Sequence, residues 1–201
     1  KACKPINVMG MTKALQERVL PEANMGTPRT KFLCVRYGNV IASRGSVVPL
    51  FMEQIKKGGP VTITMPEMTR FLLSLDRAVD TVFTAVRHGN AGELYVPQVA
   101  AAKVIDVART LLNGHEVPIV FTGVPPREKV HEIMVSEEER FRTIERDGYY
   151  VILPVLPELR QSGEIVPALE HEYSSEFNHV SPEKLRALLH DASEEIRSFT
   201  P

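Results

Sequence analysis

The 201-residue sequence predicts an α/β protein with a mostly parallel sheet. Apolar segments with helical spacing alternate along the chain with short β-branched segments, which is typical of parallel strands joined by helices. The segment from Lys31 to Tyr37 is almost continuously apolar or β-prone, as expected for a strand covered on both faces. Glycines fall where the periodic segments end, at Gly26, Gly89 and Gly114.

The first half of the chain contains three predicted helices. Apolar residues recur at helical spacing from Ile6 to Leu20, and Pro21 with Gly26 ends that helix. Pro49 near the start and Gly58 after the end delimit a second helix, from Val47 to Lys57. The other elements predicted for this half are the strand over 31–37, a strand over 61–64, a loop over 66–71 and a helix over 75–86 closed by Gly89.

The second half is marked by two helix starts. Ser136 and Glu139 have the spacing of a capping box, which predicts a helix that runs to about Arg146. Ser181-Pro182-Glu183 predicts the start of a short last helix near His190. The other elements predicted for this half are strands over 93–96, 117–122 and 149–156, a helix over 101–112, a short helix or turn over 128–134 and a loop over 157–178.

Composition excludes several classes of partner. A net charge of −1 and the lack of any basic run argue against nucleic-acid binding. No apolar stretch approaches the roughly 20 residues that span a bilayer, and no segment resembles a signal peptide. Cys3 and Cys34 have neither metal nor redox spacing, and no set of His, Cys, Asp and Glu has metal-ligand spacing. We therefore expect a cytoplasmic protein with no metal, no nucleic-acid partner and no membrane partner.

A polar loop follows the strand that ends at Tyr37. After Gly38 it contains Asn39, Ser43, Arg44 and Ser46. Ligands of open α/β sheets bind at the carboxyl ends of strands, where this loop is predicted to lie. One guanidinium, one amide and two hydroxyls suit a phosphorylated or sugar-bearing ligand. On composition alone, a solvated strand-to-helix turn explains the loop equally well.

Lys13 follows Met9 by one helical turn, so the two side chains share a helix face. A tyrosine at position 9 would make the Tyr-x-x-x-Lys pair of short-chain dehydrogenases, in which the lysine lowers the pKa of the tyrosine. Methionine has no titratable proton and cannot replace that function. Taken alone, the pair is better explained as a core methionine and a surface lysine.

Three longer motifs carry a family resemblance. They are Lys1-Ala-Cys-Lys-Pro-Ile-Asn7 leading into Met9-x-x-x-Lys13, Arg36-Tyr-Gly-Asn-Val40 with Ser43-Arg-Gly-Ser-Val47, and Pro66-Glu-Met-Thr-Arg-Phe71. Over residues 1 to about 156 the chain resembles the extended short-chain dehydrogenases that act as nucleotide-sugar dehydratases and epimerases in polysaccharide biosynthesis. It is most similar to the inverting UDP-N-acetylglucosamine 4,6-dehydratases, some of which have Met-x-x-x-Lys.

The resemblance implies a partial Rossmann-like parallel sheet with flanking helices. Residues 1–156 would form the C-terminal half of the fold, with the nucleotide-sugar-binding region, and residues 157–201 a C-terminal extension. The chain begins Lys-Ala-Cys-Lys and contains no Gly-x-Gly-x-x-Gly. We therefore expect the N-terminal dinucleotide-binding half to be absent, and the chain alone to be inactive.

Site residues follow from the resemblance one by one. Lys1 matches a lysine implicated in acid–base work at sugar C5 and C6, and Lys13 matches the lysine that binds the nicotinamide ribose. Positions that match the UDP-sugar site are Asn39, Ser43, Arg44, Ser46, Arg70 and Glu128. We expect Arg70 to contact the diphosphate, because a guanidinium matches phosphate geometry. The usual Gly-x-Arg-Pro-Gly-Glu-Lys is altered here to Gly123-Val-Pro-Pro-Arg-Glu-Lys129, which leaves the role of Arg127 open.

The implied activity is an NADP-dependent UDP-N-acetylhexosamine 4,6-dehydration. Hydride leaves sugar C4 for NADP, water is lost across C5 and C6, and the hydride returns to C6. We expect the complete protein to be a homo-oligomer. A UDP-sugar 4-epimerase is the close alternative, although Met9 argues against it. A non-catalytic module for nucleotide-sugar binding or oligomerisation is the alternative from another class.

Overall fold

The computed structural model describes residues 1–26, 29–41, 43, 45–160 and 163–198, with the backbone alone at 192–198. In chain order its helices and strands are α1 (Val8–Glu22), β1 (Cys34–Val35), β2 (Asn39–Val40), α2 (Val47–Lys56), β3 (Val61–Ile63), β4 (Thr69–Leu73), α3 (Leu75–His88), β5 (Leu94–Pro97), β6 (Ala100–Lys103), α4 (Val104–Leu112), β7 (Ile119–Phe121), β8 (Ile133–Val135), α5 (Glu137–Arg140), β9 (Thr143–Arg146), β10 (Tyr149–Ile152), β11 (Tyr173–Ser174) and α6 (Pro182–Ser198). Short 3-10 turns occur at Ala23–Met25 and Pro157–Leu159.

The chain forms two compact units, each assembled from three separate stretches. Unit 1 comprises Lys1–Tyr37, Ala78–Gln98 and Ile133–Ser174. Unit 2 comprises Gly38–Arg77, Val99–Glu132 and Ser175–Pro201.

Unit 1 is built on a four-stranded sheet in the order β1-β5-β10-β9. β1 runs parallel to β5, with Cys34 opposite Leu94, and β10 runs antiparallel to both β5 and β9. Tyr95 and Val151 from the central strands are buried in its core. Asn7 begins α1, because its side-chain oxygen accepts a hydrogen bond from Gly10 N at 2.8 Å.

Unit 2 contains a three-stranded sheet, β2-β4-β6, and a parallel pair, β3-β7. β2 is parallel to β4, whereas β6 is antiparallel to it and sets Ala102 opposite Arg70. The strands and the helices α2, α4 and α6 contribute side chains to one apolar core, which includes Phe51, Val107 and Leu185. Gly38 is required by close packing, because a Cβ there would lie 2.4 Å from the Cβ of Phe71.

The predicted fold class is confirmed: helices flank sheets that contain parallel strands. Helices α1, α2 and α3 and strands β3, β5 and β7 lie where the periodic patterns predict them. More of the strand pairs are antiparallel than the alternation of helices and strands along the sequence predicts. One reason is a hairpin between β9 and β10, whose turn residues Asp147 and Gly148 have φ of 51° and 77°.

Several boundaries predicted from local pattern are wrong. Ala100–Lys103 is strand β6 and not the start of a helix, because its backbone pairs with β4. Thr69–Leu73 is strand β4, although part of it was predicted as loop. Ile133–Val135 is strand β8, although 128–134 was predicted as a short helix or turn. The helix that starts at Ser136 ends at Arg140 and is followed by β9, Thr143–Arg146.

Two lengths also differ from prediction. The strand predicted over Lys31–Tyr37 is reduced to Cys34–Val35, and its parallel partner is β5. The last helix, α6, is not short but extends over 17 residues. Its first half is held by the apolar side chains Leu185 and Leu189, which are buried in the core of unit 2.

Candidate functional site

One predicted catalytic residue of unit 1, Lys1, lies against the start of α1, and the other, Lys13, is on that helix. Gly10, in the first turn, lies so close to the N-terminal segment that a Cβ there would be 2.7 Å from the Lys1 carbonyl oxygen and 3.0 Å from Pro5 Cβ. Ordinary Cβ contacts are longer than 3.4 Å. The absence of a side chain at Gly10 therefore allows Lys1 to lie against the helix.

Lys1 also contacts the side chain that precedes Lys13 by one turn. Its Nζ donates to Met9 Sδ at 3.5 Å, and thioether sulfur is a weak acceptor. The Lys13 Nζ donates to Gln16 Oε1 at 3.2 Å on an exposed part of the helix. Lys1 and Met9 are thus in contact although they lie eight residues apart, and Lys13 follows Met9 by one turn of the same helix.

In unit 2, Arg70, which is predicted to contact the nucleotide, donates hydrogen bonds to other groups of the protein. Its Nη1 donates to the carbonyl oxygens of Thr69 at 2.7 Å and Val130 at 3.1 Å. Its Nη2 donates to Glu128 Oε1 at 3.1 Å, and its Nε lies 3.9 Å from Glu132 Oε1. With 13% of its side chain exposed, Arg70 is held in a fixed plane between main-chain acceptors and two carboxylates.

Glu132 connects Arg70 to Asn39. In the amide orientation that satisfies its hydrogen bonds, the Asn39 nitrogen donates to both Glu132 carboxylate oxygens, at 3.0 and 2.7 Å. Burial raises the pKa of the Glu132 carboxyl, and the positive charge of Arg70 offsets this effect in part. Asn39, Arg70, Glu128 and Glu132 therefore form a single hydrogen-bonded and charged cluster in unit 2, which we call the Arg70 cluster.

A buried polar network fixes the main chain at Glu132. Ser175 Oγ accepts from Glu132 N at 2.9 Å, and Ser175 N donates to Glu132 O at 2.8 Å. The Ser175 hydroxyl lies 2.7 Å from Thr69 Oγ1, which lies 2.8 Å from His131 Nδ1. Thr69 and Ser175 are buried, so this network holds the Glu132 end of the Arg70 cluster in place.

The loop before α2 contains the remaining predicted residues. Ser46 is the N-cap residue of α2, and its N donates to the carbonyl of Ser43 at 3.0 Å. The Ser46 Oγ is buried and has no hydrogen-bond partner among the described residues. Ser43 is exposed, and Arg44 lies outside the described residues. A hydroxyl group can both donate and accept a hydrogen bond.

Sequence reasoning assigned no site role to Glu132. The one local signal is its place three residues after Lys129 in the Gly-x-Arg-Pro-Gly-Glu-Lys-like segment. Its partners Asn39 and Arg70 are on β2 and β4, which only the parallel pairing of those strands brings together. Thr69 and Ser175 were missed for the same reason, because their contact joins residues far apart in sequence.

Arg36 precedes the predicted loop motif in the sequence, and its side chain is hydrogen-bonded within unit 1. All five of its N–H groups are used, on both carboxylate oxygens of Glu17, on both of Glu139 and on the Met134 carbonyl. Burial alone would lower the pKa of Arg36, but these hydrogen bonds hold it above its ordinary value. The group lines a cavity of about 560 Å³ within unit 1 whose charged walls include Arg142.

Curated relatives match most of this chain. An uncharacterized membrane protein of Methanocaldococcus jannaschii is 34% identical over 96% of this chain and 60% of its own length. The UDP-glucose 4-epimerase of Rickettsia typhi is 46% identical over 76% of this chain and 46% of its own length. The chain thus spans about half the length of the curated relatives it matches. Within the residues described here, no helix combines the length and apolar character of a membrane span.

Solved structures show a similar fold. Pen from Bacillus thuringiensis aligns with a TM-score of 0.83 and 28% identity over 96% of this chain and 59% of its own chain. A dTDP-glucose 4,6-dehydratase from Bacillus anthracis, solved in complex with NAD, aligns with a TM-score of 0.53 over 60% of this chain and 41% of its own chain. At 12% identity this second likeness shows the fold alone.

One family covers most of the two units. The sequence model for the polysaccharide biosynthesis protein family matches residues 1–154, which include Lys1, Lys13, the loop before α2 and the whole Arg70 cluster. Because this match extends over more than half of the sequence, the chain belongs to the polysaccharide biosynthesis protein family.

Proposed function

We propose that this chain is the substrate-binding part of a nucleotide-sugar 4,6-dehydratase that acts on UDP-N-acetylglucosamine or a related UDP-sugar. The observation that carries the proposal is the contact of Lys1 Nζ with Met9 Sδ at the start of α1. This contact places a lysine amine beside a position that has no titratable proton of its own. Membership in the polysaccharide biosynthesis family supports a nucleotide sugar as the substrate.

Lys1 is the proposed acid–base group at sugar C5 and C6. A 4-keto group makes the neighbouring C5 proton acidic, so a side-chain base placed beside it can remove that proton. Met9 contributes an apolar wall with no proton to exchange. Gly10 allows the Lys1 main chain to lie against the helix, and this position limits where the amine can reach.

NADP is the proposed cofactor, and Lys13 is the residue of helix α1 that suits it. The Lys13 amine has three N–H donors and meets one acceptor among the described residues, Gln16 Oε1 at 3.2 Å. Donors on an exposed helix face fit ribose hydroxyls. When bound, the nicotinamide supplies reversible acceptance of a hydride, which a dehydration without net oxidation requires.

The Arg70 cluster and the loop before α2 are the proposed nucleotide-binding residues. Arg70 provides charge for a diphosphate, while Asn39 and Glu128 provide an amide and a carboxylate. Ser46 provides a hydroxyl with no described partner. Ser43 and Arg44 belong to the same loop and complete the proposed set.

A cytoplasmic homo-oligomer is part of the proposal. The two cysteines, Cys3 and Cys34, are not joined in a disulfide, as is usual in a reducing compartment. Nucleotide sugars are charged and do not cross membranes unaided, which also favours the compartment in which they are made.

A UDP-sugar 4-epimerase is the second candidate, and the names of the Rickettsia relatives favour it. Epimerisation requires oxidation at C4 and return of hydride to the opposite face, with no loss of water. Met9 weighs against it, because epimerases normally rely on a tyrosine at this position.

Product identity separates the two candidates. The complete protein is incubated with UDP-N-acetylglucosamine and NADP, and the product is followed by NMR. A 4-keto-6-deoxy sugar supports the dehydratase, whereas a C4 epimer formed with no loss of water supports the epimerase. Absence of both products with UDP-N-acetylglucosamine and with UDP-glucose would contradict both assignments.

A further inference from the structure

The Arg70 guanidinium is held on one side by the main chain. Its Nη1 donates to the carbonyls of Thr69 and Val130, and Thr69 N donates back to the Val130 carbonyl at 3.0 Å. The strand pairing of Arg70 with Ala102 fixes the backbone itself. A ligand must therefore approach the opposite edge of the guanidinium, which carries Nη2 and Nε.

That edge faces two carboxylates that are held very differently. Glu132 accepts two hydrogen bonds from Asn39, and its main chain is bound on both sides by Ser175. The Glu128 side chain is 35% exposed and reaches Arg70 through one 3.1 Å hydrogen bond. Glu128 lies in a turn after Arg127, whose φ is 71°. Of the two, Glu128 is the carboxylate that a side-chain rotation can remove from Arg70.

We propose that Glu128 is a specificity-determining residue that screens the charge of Arg70. Its ion pair with Arg70 opens for a diphosphate only when the same ligand also carries sugar or ribose hydroxyl groups that can donate hydrogen bonds to Glu128. This inference rests on the proposed nucleotide-sugar function. It assigns to the Arg70–Glu128 ion pair a role in rejecting simple anions.

The selectivity follows from what each group needs after the pair opens. A diphosphate replaces the lost carboxylate on Arg70 with charge-assisted hydrogen bonds of its own. The released Glu128 carboxylate can only accept hydrogen bonds, so it needs O–H or N–H donors. Two neighbouring hydroxyls of a ribose or sugar supply them. A bare diphosphate supplies none and leaves two anionic groups close together.

The test compares pyrophosphate with UDP, because the two share the diphosphate and differ in the ribose hydroxyls. Calorimetry measures the affinity of each for the wild-type protein and for Glu128→Gln, which removes the charge and keeps the side-chain volume. Glu67→Gln is the matched control, because Glu67 lies in the turn before Arg70 and has no ion pair among the described residues. Thermal melts establish that each variant is folded.

We expect Glu128→Gln to bind pyrophosphate about fivefold more tightly than the wild type, the scale of a partly exposed ion pair. UDP should gain less or lose affinity, so that the ratio of UDP to pyrophosphate affinity falls by at least about threefold. Glu67→Gln should leave this ratio unchanged. The same ratio in wild type and Glu128→Gln would overturn the screening role.

Failure of the proposed function gives a different result. If no variant binds UDP but Glu128→Gln still binds pyrophosphate more tightly, Glu128 screens Arg70 and the nucleotide assignment is wrong. If UDP binds and pyrophosphate affinity does not respond to Glu128→Gln, the nucleotide assignment stands and the screening role is wrong.

Discussion

The Nζ atom of Lys1 lies 3.5 Å from the Sδ atom of Met9, which precedes Lys13 by one helical turn. In a Tyr-x-x-x-Lys enzyme, the tyrosine at this position supplies the titratable proton. Here the position is apolar, and the amine that touches it comes from a residue outside the helix. We therefore assign the proposed proton transfer to Lys1, in the segment that precedes helix α1, and not to a residue of the helix itself.

Gly10 should be needed for the position of Lys1 rather than for stability. Gly10→Ala would favour the helix by up to about 1 kcal/mol, but its Cβ would lie 2.7 Å from the Lys1 carbonyl oxygen. We expect turnover to fall by at least about tenfold, with a small change in nucleotide affinity, since a misplaced reactive group costs such factors. Gly59→Ala is the control, because its Cβ meets no atom within 4 Å. Equal turnover in the two variants would show that Gly10 does not position Lys1.

Arg70→Ala should weaken binding of the UDP-sugar by about 2–4 kcal/mol, because a charge-assisted contact is lost and two carboxylates remain beside the diphosphate. Arg70→Lys should recover only part of the loss, since an ammonium cannot reproduce the guanidinium geometry. Calorimetry with UDP measures both effects. Wild-type affinity in Arg70→Ala would remove this residue from the site.

Arg36 should be essential for the stability of unit 1. Its side chain is 10% exposed and pairs with Glu17 and Glu139, which are also largely buried. Arg36→Met would leave two buried carboxylates without their cation, and we expect it to destabilise the fold by about 3–5 kcal/mol in urea denaturation. Lys57→Ala, which breaks the exposed pair with Glu53, should have a much smaller effect. Similar losses in both variants would contradict this role for Arg36.

The Arg36 network should also make unit 1 sensitive to acid. Burial alone would raise the pKa of Glu139, but its hydrogen bonds from Arg36 outweigh burial and hold the pKa below its ordinary value. A lowered pKa contributes stability that is complete above the unfolded value, about 4.3, and is lost as pH falls through the folded value.

Glu139→Gln should therefore be less stable than the wild type at pH 7, and the difference should shrink as the pH falls below about 4. Urea midpoints between pH 7 and pH 3 measure this, with Glu116→Gln as a control for net charge at an exposed position. A difference that stays constant across this range would argue against the ionised form of Glu139 as its source.

Local patterns predicted much of the fold. The capping box of Ser136 and Glu139 is present, because both of its hydrogen bonds connect residues three apart. The Asp147-Gly148 turn between β9 and β10 is equally local and could have been predicted, since Asp-Gly between β-prone segments favours a hairpin. The turn was not predicted, because the helix that begins at Ser136 was predicted to continue to about Arg146.

The remaining features depend on contacts between distant residues. Ala100–Lys103 has the composition of a helix, but its pairing with β4 makes it a strand. Glu139 bonds to Arg36, 103 residues away, and no spacing rule connects them. Glu132 belongs to the Arg70 cluster because β2 and β4 pair and set Asn39 opposite Leu72, two residues from Arg70. The family resemblance suggested Asn39, Arg70 and Glu128 as site residues. Glu132, the carboxylate that connects Asn39 to Arg70, could be identified only from the fold.

The most direct test of this account is the incorporation of solvent deuterium at sugar C5. The reaction is run in D₂O with the complete protein as wild type, as Lys1→Ala and as Met9→Leu, and the product is analysed by NMR. We expect incorporation with the wild type, incorporation within about threefold of it with Met9→Leu, which conserves side-chain volume and removes no proton, and a loss of at least about 100-fold with Lys1→Ala at nearly unchanged UDP affinity. Wild-type incorporation in Lys1→Ala, or a larger loss in Met9→Leu than in Lys1→Ala, would contradict the assignment of the proton chemistry to Lys1.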